Sequence, residues 1–329
     1  IKALLYNDTQ HWVESETMHK SALAIREGLA KANPQAYEPD LAMSYNNLAN
    51  LYSDIQRLSE SESMYKSAVA IYERLAKDNP QAYEPALAKS YNNFANLYRV
   101  TQRLSESEDM HKSAMAIYER LAKANPQAYE PDLAASYNNL AILYSVIQRW
   151  AESETMYKSA LAIYERLAKA NPQAYEPDLA MSYNNIANLY HYTQRLSESE
   201  TMYKSALAIR ERLTKANPQA YEPDLAMSYN NLANLYYYTL RLSESETMHK
   251  SALAIRERLA KANPQAYEPD LAMSYNDLAL LYNDTQRWAE SETMHKSALA
   301  IYERLAKANP QLYESDLAMS YNNLANLYH

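Results

Sequence analysis

Hydrophobic residues recur along this chain in two alternating stripes, each with the 3.6-residue spacing of a helix. Between Glu38 and Ala82, the residues Leu41, Tyr45, Leu48, Ala49 and Tyr52 stand at i, i+4, i+7, i+8 and i+11, which is one apolar face. We name this segment helix A. Pro39 occupies a first-turn position, where a missing N–H costs nothing, and Asp40 puts negative charge near the positive end of the helix dipole. Helix A is expected to end near residues 54–56. A second stripe, from Leu58 through Ser61, Met64, Tyr65, Ala68, Ile71 and Tyr72 to Leu75, predicts helix B. Ser59 followed by Glu62 has the form of a capping box, and Asn79-Pro80 closes the segment because proline biases the preceding residue away from helical geometry. Only residues 81–84 separate Pro80 from Pro85, room for a turn or one short helical turn, so the next helix A folds back antiparallel.

The pair of stripes returns every 46 residues, almost unchanged. Asn-Pro at 33/34 recurs at 79/80, 125/126, 171/172, 217/218, 263/264 and 309/310, and Tyr-Asn at 45/46 recurs at 91/92, 137/138, 183/184, 229/230, 275/276 and 321/322. A fixed period of this size marks a solenoid, whose units bury their apolar faces only by stacking on neighbours. The expected fold is all-α, an α-solenoid in a single array over 1–329 of about seven 46-residue units, with no composition shift or charge block to mark an internal boundary. Ile1 aligns with Asn47 and His329 with Ser53, so both ends are expected to be truncations inside a longer array.

Small residues matter as much as large ones. Ala49 and Ala68, with Ala95 and Ala114 one period on, are where facing helices approach most closely. The one glycine, Gly28, stands where later units have Arg74, Arg120 and Arg166, so no loop is expected to need a left-handed residue. Position 72 holds Tyr72, Tyr118, Tyr164 and Tyr302 in some units and Arg26, Arg210 and Arg256 in others, and is therefore expected not to be fully buried. Glu60, Glu62, Lys66, Glu73, Arg74 and Lys77 read as solvated charges of an outer surface, with Glu62 and Lys66 spaced for an i,i+4 pair.

Composition narrows the function. The chain has 32 Tyr against 1 Phe, no Cys and a formal net charge of -8. Without cysteine there are no disulfides or thiolate metal sites, which fits a reducing, cytoplasmic setting. No basic stripe or tail points to nucleic acid, and no apolar run is long enough to cross a membrane. Enzyme chemistry finds no support: HExxH, CxxC and phosphate-loop patterns are lacking, and no cofactor is expected. His19, His111, His249 and His295 fill the slot of Tyr65, Tyr157 and Tyr203, so they read as packing substitutes. Asn7-Asp8-Thr9 and Asn283-Asp284-Thr285 match the glycosylation sequon, by chance on this reading.

The run Tyr45-Asn46-Asn47-Leu48-Ala49-Asn50-Leu51-Tyr52, followed by Ser61, Tyr65 and Ala68, resembles the tetratricopeptide repeat, and its Asn-Asn-Leu-Ala element looks most like the kinesin light chain branch. The resemblance covers the chain in seven copies and implies a right-handed superhelix of antiparallel helix pairs with helix A lining a concave groove. Two departures stand out: the period exceeds the usual unit of about 34 residues, and Gln56, Gln102 and Gln148 replace the customary glycine between the helices.

The resemblance carries the ligand-facing positions onto Met43, Asn46, Asn50 and Ser53. The second is constant as Asn46, Asn92, Asn138, Asn184, Asn230, Asn276 and Asn322; the third is Asn50, Asn96, Asn188, Asn234 and Asn326, with Ile142 and Leu280 in two units. An Asn amide donates and accepts, so such a ladder can bind the backbone of an extended peptide. Bonding between neighbouring units is the alternative, and Asn47 is the residue expected to point into that contact. Copy-to-copy variation concentrates at the last turn of helix A, at Ser53-Asp54, Arg99-Val100, His191-Tyr192 and Tyr237-Tyr238; either partner choice or drift on a tolerant surface accounts for it. His191, Tyr192, Tyr237 and Tyr238 form the aromatic part, suited to clasp an apolar side chain.

Two functions are expected from these features. The first is a protein-binding scaffold that takes an extended peptide or a partner helix in the groove. The other is a structural spacer, sensor arm or self-associating rod within a larger signalling protein, pairing through uncapped ends.

Overall fold

Each proline of an Asn-Pro pair opens a helix. The computed structural model describes residues 9–328, and among these residues it contains fourteen α-helices and no strand. They are α1 (Thr9–Ala32), α2 (Pro34–Asp54), α3 (Leu58–Asp78), α4 (Pro80–Val100), α5 (Leu104–Ala124), α6 (Pro126–Val146), α7 (Trp150–Ala170), α8 (Pro172–Tyr192), α9 (Leu196–Ala216), α10 (Pro218–Tyr238), α11 (Leu242–Ala262), α12 (Pro264–Asp284), α13 (Trp288–Ala308) and α14 (Pro310–Leu327). Even numbers are helices A and odd numbers helices B. The start at Ile1 and the Asn7-Asp8 part of the sequon lie outside the described residues. Contacts gather the described residues into two compact units, one ending at residue 175 and the other beginning at residue 176.

The start of helix A differs from expectation. Pro34, not Pro39, sits at the first helical position, and the side chain of Asn33 caps the helix by accepting from Ala36 N at 3.3 Å. The segment read as a linker is thus the first turn of helix A, and one residue joins B to the next A. That residue serves twice: Asn79 N–H donates to Leu75 O at 2.9 Å, ending α3, while its side chain caps α4 through Ala82 N at 3.2 Å. The capping box at Ser59 and Glu62 does not form. The N-cap of α3 is Arg57, with no side-chain cap bond, and its Nε instead donates to Glu60 at 2.6 Å.

The turn from A to B corrects the expectation drawn from scarce glycine. Gln56, Gln102, Gln148, Gln194, Leu240 and Gln286 all have positive φ, between 58° and 62°. Arg57 N–H donates to Tyr52 O at 2.8 Å and Gln56 N–H to Ser53 O at 3.1 Å, the pair of bonds that terminates a helix on a left-handed residue. The turn therefore demands the left-handed region even though no glycine supplies it, at a strain of about 1–2 kcal/mol per turn.

Packing follows the apolar stripes. Within residues 8–175, α2 packs on α3, α4 on α5 and α6 on α7; within residues 176–329, α10 packs on α11 and α12 on α13. Ala49, Ala68, Ala95 and Ala114 are completely buried, as the close approach of A and B requires. Beside each close approach the buried Ser61 Oγ donates to Ala49 O at 2.8 Å, and Ser107, Ser153, Ser199, Ser245 and Ser291 repeat the bond. His111, His249 and His295 are buried in the Tyr65 slot.

Position 72 overturns its expectation, since Tyr72, Tyr118, Tyr164 and Tyr302 are buried and so are Arg210 and Arg256. Both side chains lay an apolar stem along the seam and place a polar tip on the facing helix A. Tyr118 OH reaches Pro85 O at 3.4 Å, whereas Arg210 Nη1 reaches Asp224 O at 3.1 Å and Ser228 Oγ at 2.7 Å. The charges of helix B are also less free than expected. Arg103 lies 4.2 Å over the Tyr98 ring, pairs with Glu106, and reaches back one unit to Glu62 at 2.6 Å, a staple that Arg149 repeats on Tyr144, Glu152 and Glu108.

Candidate functional site

On helix A the apolar stripe faces helix B, and the flanks meet the helices A of adjacent units. One strip stays open. In α2 it runs Met43, Asn47, Asn50 and Asp54, at i, i+4, i+7 and i+11, with Met43, Asn47 and Asp54 exposed and Asn50 half-buried. The corresponding residues are Lys89, Asn93, Asn96 and Val100 in α4, and Met227, Asn231, Asn234 and Tyr238 in α10.

The first asparagine of the pair is more covered than a groove-facing residue would be, and the second is exposed in α2. The constant series is the covered one: Asn92, Asn138, Asn184 and Asn276 are buried, Asn46 and Asn230 half-buried, and Asn322 is exposed on α14. Its amides are engaged inside the stack. Asn46 Nδ2 donates to Ser90 Oγ of the next helix A, Asn92 Nδ2 donates to Ser136 Oγ at 3.3 Å, and Asn184 Oδ1 accepts from Asn231 Nδ2 at 2.7 Å. His111 and His295 bond Asn92 Oδ1 and Asn276 Oδ1 at 2.9 Å and 3.3 Å. Of the two roles weighed for this series, these contacts support stacking. Of the second asparagines, Asn47 is exposed, whereas Asn93 and Asn231 are half-buried and their Nδ2 groups donate to Asn50 Oδ1 at 3.4 Å and Asn184 Oδ1 at 2.7 Å, the contact between units expected at this position.

The other predicted series lies on the open strip. Asn50, Asn96 and Asn188 are half-buried and Asn234 is exposed. Tyr65 OH donates to Asn50 Oδ1 at 2.5 Å and Asn93 Nδ2 donates to it at 3.4 Å, so Asn50 is held from helix B and from the next helix A together. An open depression of about 400 Å³ lies there, lined by Asn50, Ser53, Asp54, Tyr65, Asn93 and Asn96. Partial desolvation raises the carboxyl of Asp54 above its ordinary value, although the residue as a whole is exposed.

In residues 176–329 the aromatic residues come together at the ends of α8 and α10. The His191 ring packs edge-on to Tyr238 with centroids 5.1 Å apart and lies nearly parallel to Tyr192 at 6.2 Å. Tyr238 OH donates to Gln194 Oε1 at 2.9 Å, and Tyr237 OH donates to Asp284 Oδ2 at the end of α12. Tyr192 and Tyr238 remain exposed, and burial holds the His191 imidazole below its ordinary pKa.

Sequence reasoning missed Leu240. It takes the left-handed position that five glutamines occupy elsewhere, and it is 82% exposed beside this aromatic group. The signal was present as the one apolar residue in the Gln56 series. A second kind of depression also escaped notice, at the junction of helix B with the following helix A. It measures about 440 Å³ at Glu73, Ala76, Lys77, Glu84, Leu87 and Tyr91, and one of about 390 Å³ recurs at Glu211, Thr214, Lys215, Pro218, Glu222, Leu225 and Tyr229.

Among the described residues no group of three or more His, Cys, Asp or Glu side chains is placed to hold a metal ion, and no helix is long and apolar enough to cross a membrane.

Comparison with known proteins agrees with this architecture. Models of the tetratricopeptide repeat match residues 40–120, 86–166, 132–212 and 178–258, and a further one matches 271–311. No curated protein sequence matches the chain at a significant level. Among solved structures, BtubC (BKLC) from P. vanneervenii is similar at 23% identity and a TM-score of 0.62, over 75% of this chain and 92% of that one. A putative kinesin light chain with nearly identical TPR-like repeats from Podosopora anserina is similar at 18% identity and a TM-score of 0.52, over 68% of this chain and 98% of that one. A signal transduction ATPase with numerous domains that carries a tetratricopeptide repeat sensor, from Pyrococcus horikoshii, gives 14% identity and a TM-score of 0.61, over 96% of this chain and 44% of that one. With family models covering most of its length and helix pairs that repeat the family's packing, the chain belongs to the tetratricopeptide repeat family.

Proposed function

We propose that this chain is a scaffold that docks an extended peptide or a partner helix along the open strip of its helices A. Repeats of this family mediate protein–protein interaction, and they are typically scaffolds without catalytic chemistry. The observation that carries the reading is where the copies differ. The end of the strip is Asp54, Val100 and Val146 in residues 8–175 and Tyr192, Tyr238 and Asp284 in residues 176–329, while the residues that face helix B barely change. Stacking needs the same residues in every unit; recognition of one particular partner needs different ones. The unbroken period supports a single array over 1–329, and the lack of cysteine suits a cytoplasmic setting.

A pull-down with the purified chain tests this reading. Asn96→Ala with Val100→Ala removes the strip in α4, and Lys77→Ala with Lys123→Ala alters the ends of helices B. A discrete partner lost by the first pair and kept by the second supports docking on the strip; the reverse outcome overturns it.

A structural arm is the second reading, and the staples favour it. Arg57, Arg103, Arg149, Arg241 and Arg287 each bind a glutamate of the preceding unit, which stiffens successive junctions whatever the strip does. Sedimentation of the chain over a wide concentration range separates a stiff monomer from a self-associating rod.

A further inference from the structure

Three neighbouring helices A of residues 176–329 end in one patch, and its chemistry is uneven. Tyr192 and Tyr238 are 72% and 51% exposed, and Leu240 stands 82% exposed in a left-handed turn that a leucine side chain disfavours. At the far side Asp284 accepts from Tyr237 OH through Oδ2. The cations nearest in sequence are already engaged: Arg195, Arg241 and Arg287 bind Glu198, Glu244 and Glu290. The patch thus offers exposed ring faces, a carboxylate and the carbonyl ends of three helices, whose dipoles favour positive charge.

We infer that this patch docks an extended segment of a protein partner that presents an arginine next to an apolar side chain. The guanidinium fits a tyrosine face with Asp284 in reach, and the apolar neighbour covers Leu240. Charge complementarity selects this occupant over an acidic segment, which would meet Asp284, the helix ends and a chain of net charge -8. The fold already uses the same pairing internally, with the Arg241 guanidinium 4.1 Å over the Tyr236 ring and bonded to Glu200 at 2.7 Å. Arginine is favoured over lysine because its planar group stacks and binds a carboxylate at once. Burial lowers the pKa of the His191 imidazole, which disfavours a positive charge on that ring beside the guanidinium.

The inference rests on the reading of the helix A strip as a docking surface, and the test separates the two. Two fluorescein-labelled peptides, Gly-Leu-Arg-Trp-Arg-Leu-Gly and Gly-Leu-Glu-Trp-Glu-Leu-Gly, are titrated with the full chain by anisotropy at low and physiological salt. The arginine peptide is expected to bind at least about tenfold more tightly, to weaken as salt rises, and to lose about fivefold or more in Asp284→Asn, which keeps the shape of the side chain. Glu73→Gln, on helix B, is expected to change nothing. If both peptides bind alike and both are lost in Tyr192→Ala with Tyr238→Ala, the choice of a cation is overturned and docking on the strip stands. Binding by neither peptide overturns the inference outright, while the pull-down with the α4 variants decides the docking surface independently.

Discussion

His111 Nδ1 donates to Asn92 Oδ1 across 2.9 Å inside the seam between α4 and α5, and its Nε2 has no partner. A second proton would have to sit on that unpartnered nitrogen. Burial, with Arg99 adding repulsion, pushes the imidazole down to about 4, and burial does the same for His249 with Arg256 nearby. The unfolded chain takes up these protons near pH 6.5, so the folded state is favoured above that pH and loses stability as pH falls from 6.5 toward 4. The loss is on the order of 3 kcal/mol per histidine. Urea unfolding across this range is expected to flatten in His111→Tyr with His249→Tyr, since tyrosine fills the same slot in other units. Glu62, held below its usual range by Lys66 and Arg103, acts only in the lower window, below about 4.5.

Asn92→Ala removes the acceptor of His111 and the donor to Ser136 from a buried seam, and is expected to cost about 2 kcal/mol. Asn47→Ala, on the open strip, is expected to stay within about 0.5 kcal/mol. Chemical denaturation of the two variants checks the assignment of the first asparagine to the stack.

Tyr118 occupies a buried slot that elsewhere accepts arginine. Tyr118→Arg places a guanidinium within reach of Ser136, as Arg210 is within reach of Ser228, and is expected to cost about 1 kcal/mol or less. Tyr118→Ala leaves a cavity and is expected to cost about 3 kcal/mol or more. A thermal melt that ranked the two equal would contradict the shared slot.

Gln148 holds φ near 59° in the turn between α6 and α7. Gln148→Gly relieves about 1–2 kcal/mol of left-handed strain and returns about 0.4–1 kcal/mol of unfolded-chain entropy. A net gain of up to about 1.5 kcal/mol follows, read as a higher melting temperature; a lower one would show that the glutamine side chain holds the turn.

Much of the fold was legible because it depends on spacing alone. The stripe from Leu41 to Tyr52 and the stripe from Leu58 to Leu75 specify two helices whatever surrounds them, and the close contact at Ala49 and Ala68 follows from their small size. Helix starts were less legible. Pro34 and Pro39 both suit a first turn, and only the side chain of Asn33, folded back onto Ala36 N, selects the earlier one.

The candidate site was legible as a face but not as residues. Adjacent positions on a helix stand roughly 100° apart, so Asn46 and Asn47 are equally able to meet a neighbour until that neighbour is in place. The sequence by itself determined the 46-residue unit, the helix pair and the apolar seam, because helical periodicity and burial of nonpolar surface act within one unit. Only the tertiary structure decided that Asn92 is covered while Asn47 is open, that Arg210 and Tyr118 fill equivalent buried slots, and that Gln56 must turn left-handed. Each of these depends on where the next helix lies, and that is set by packing between helices rather than by any residue's own preference.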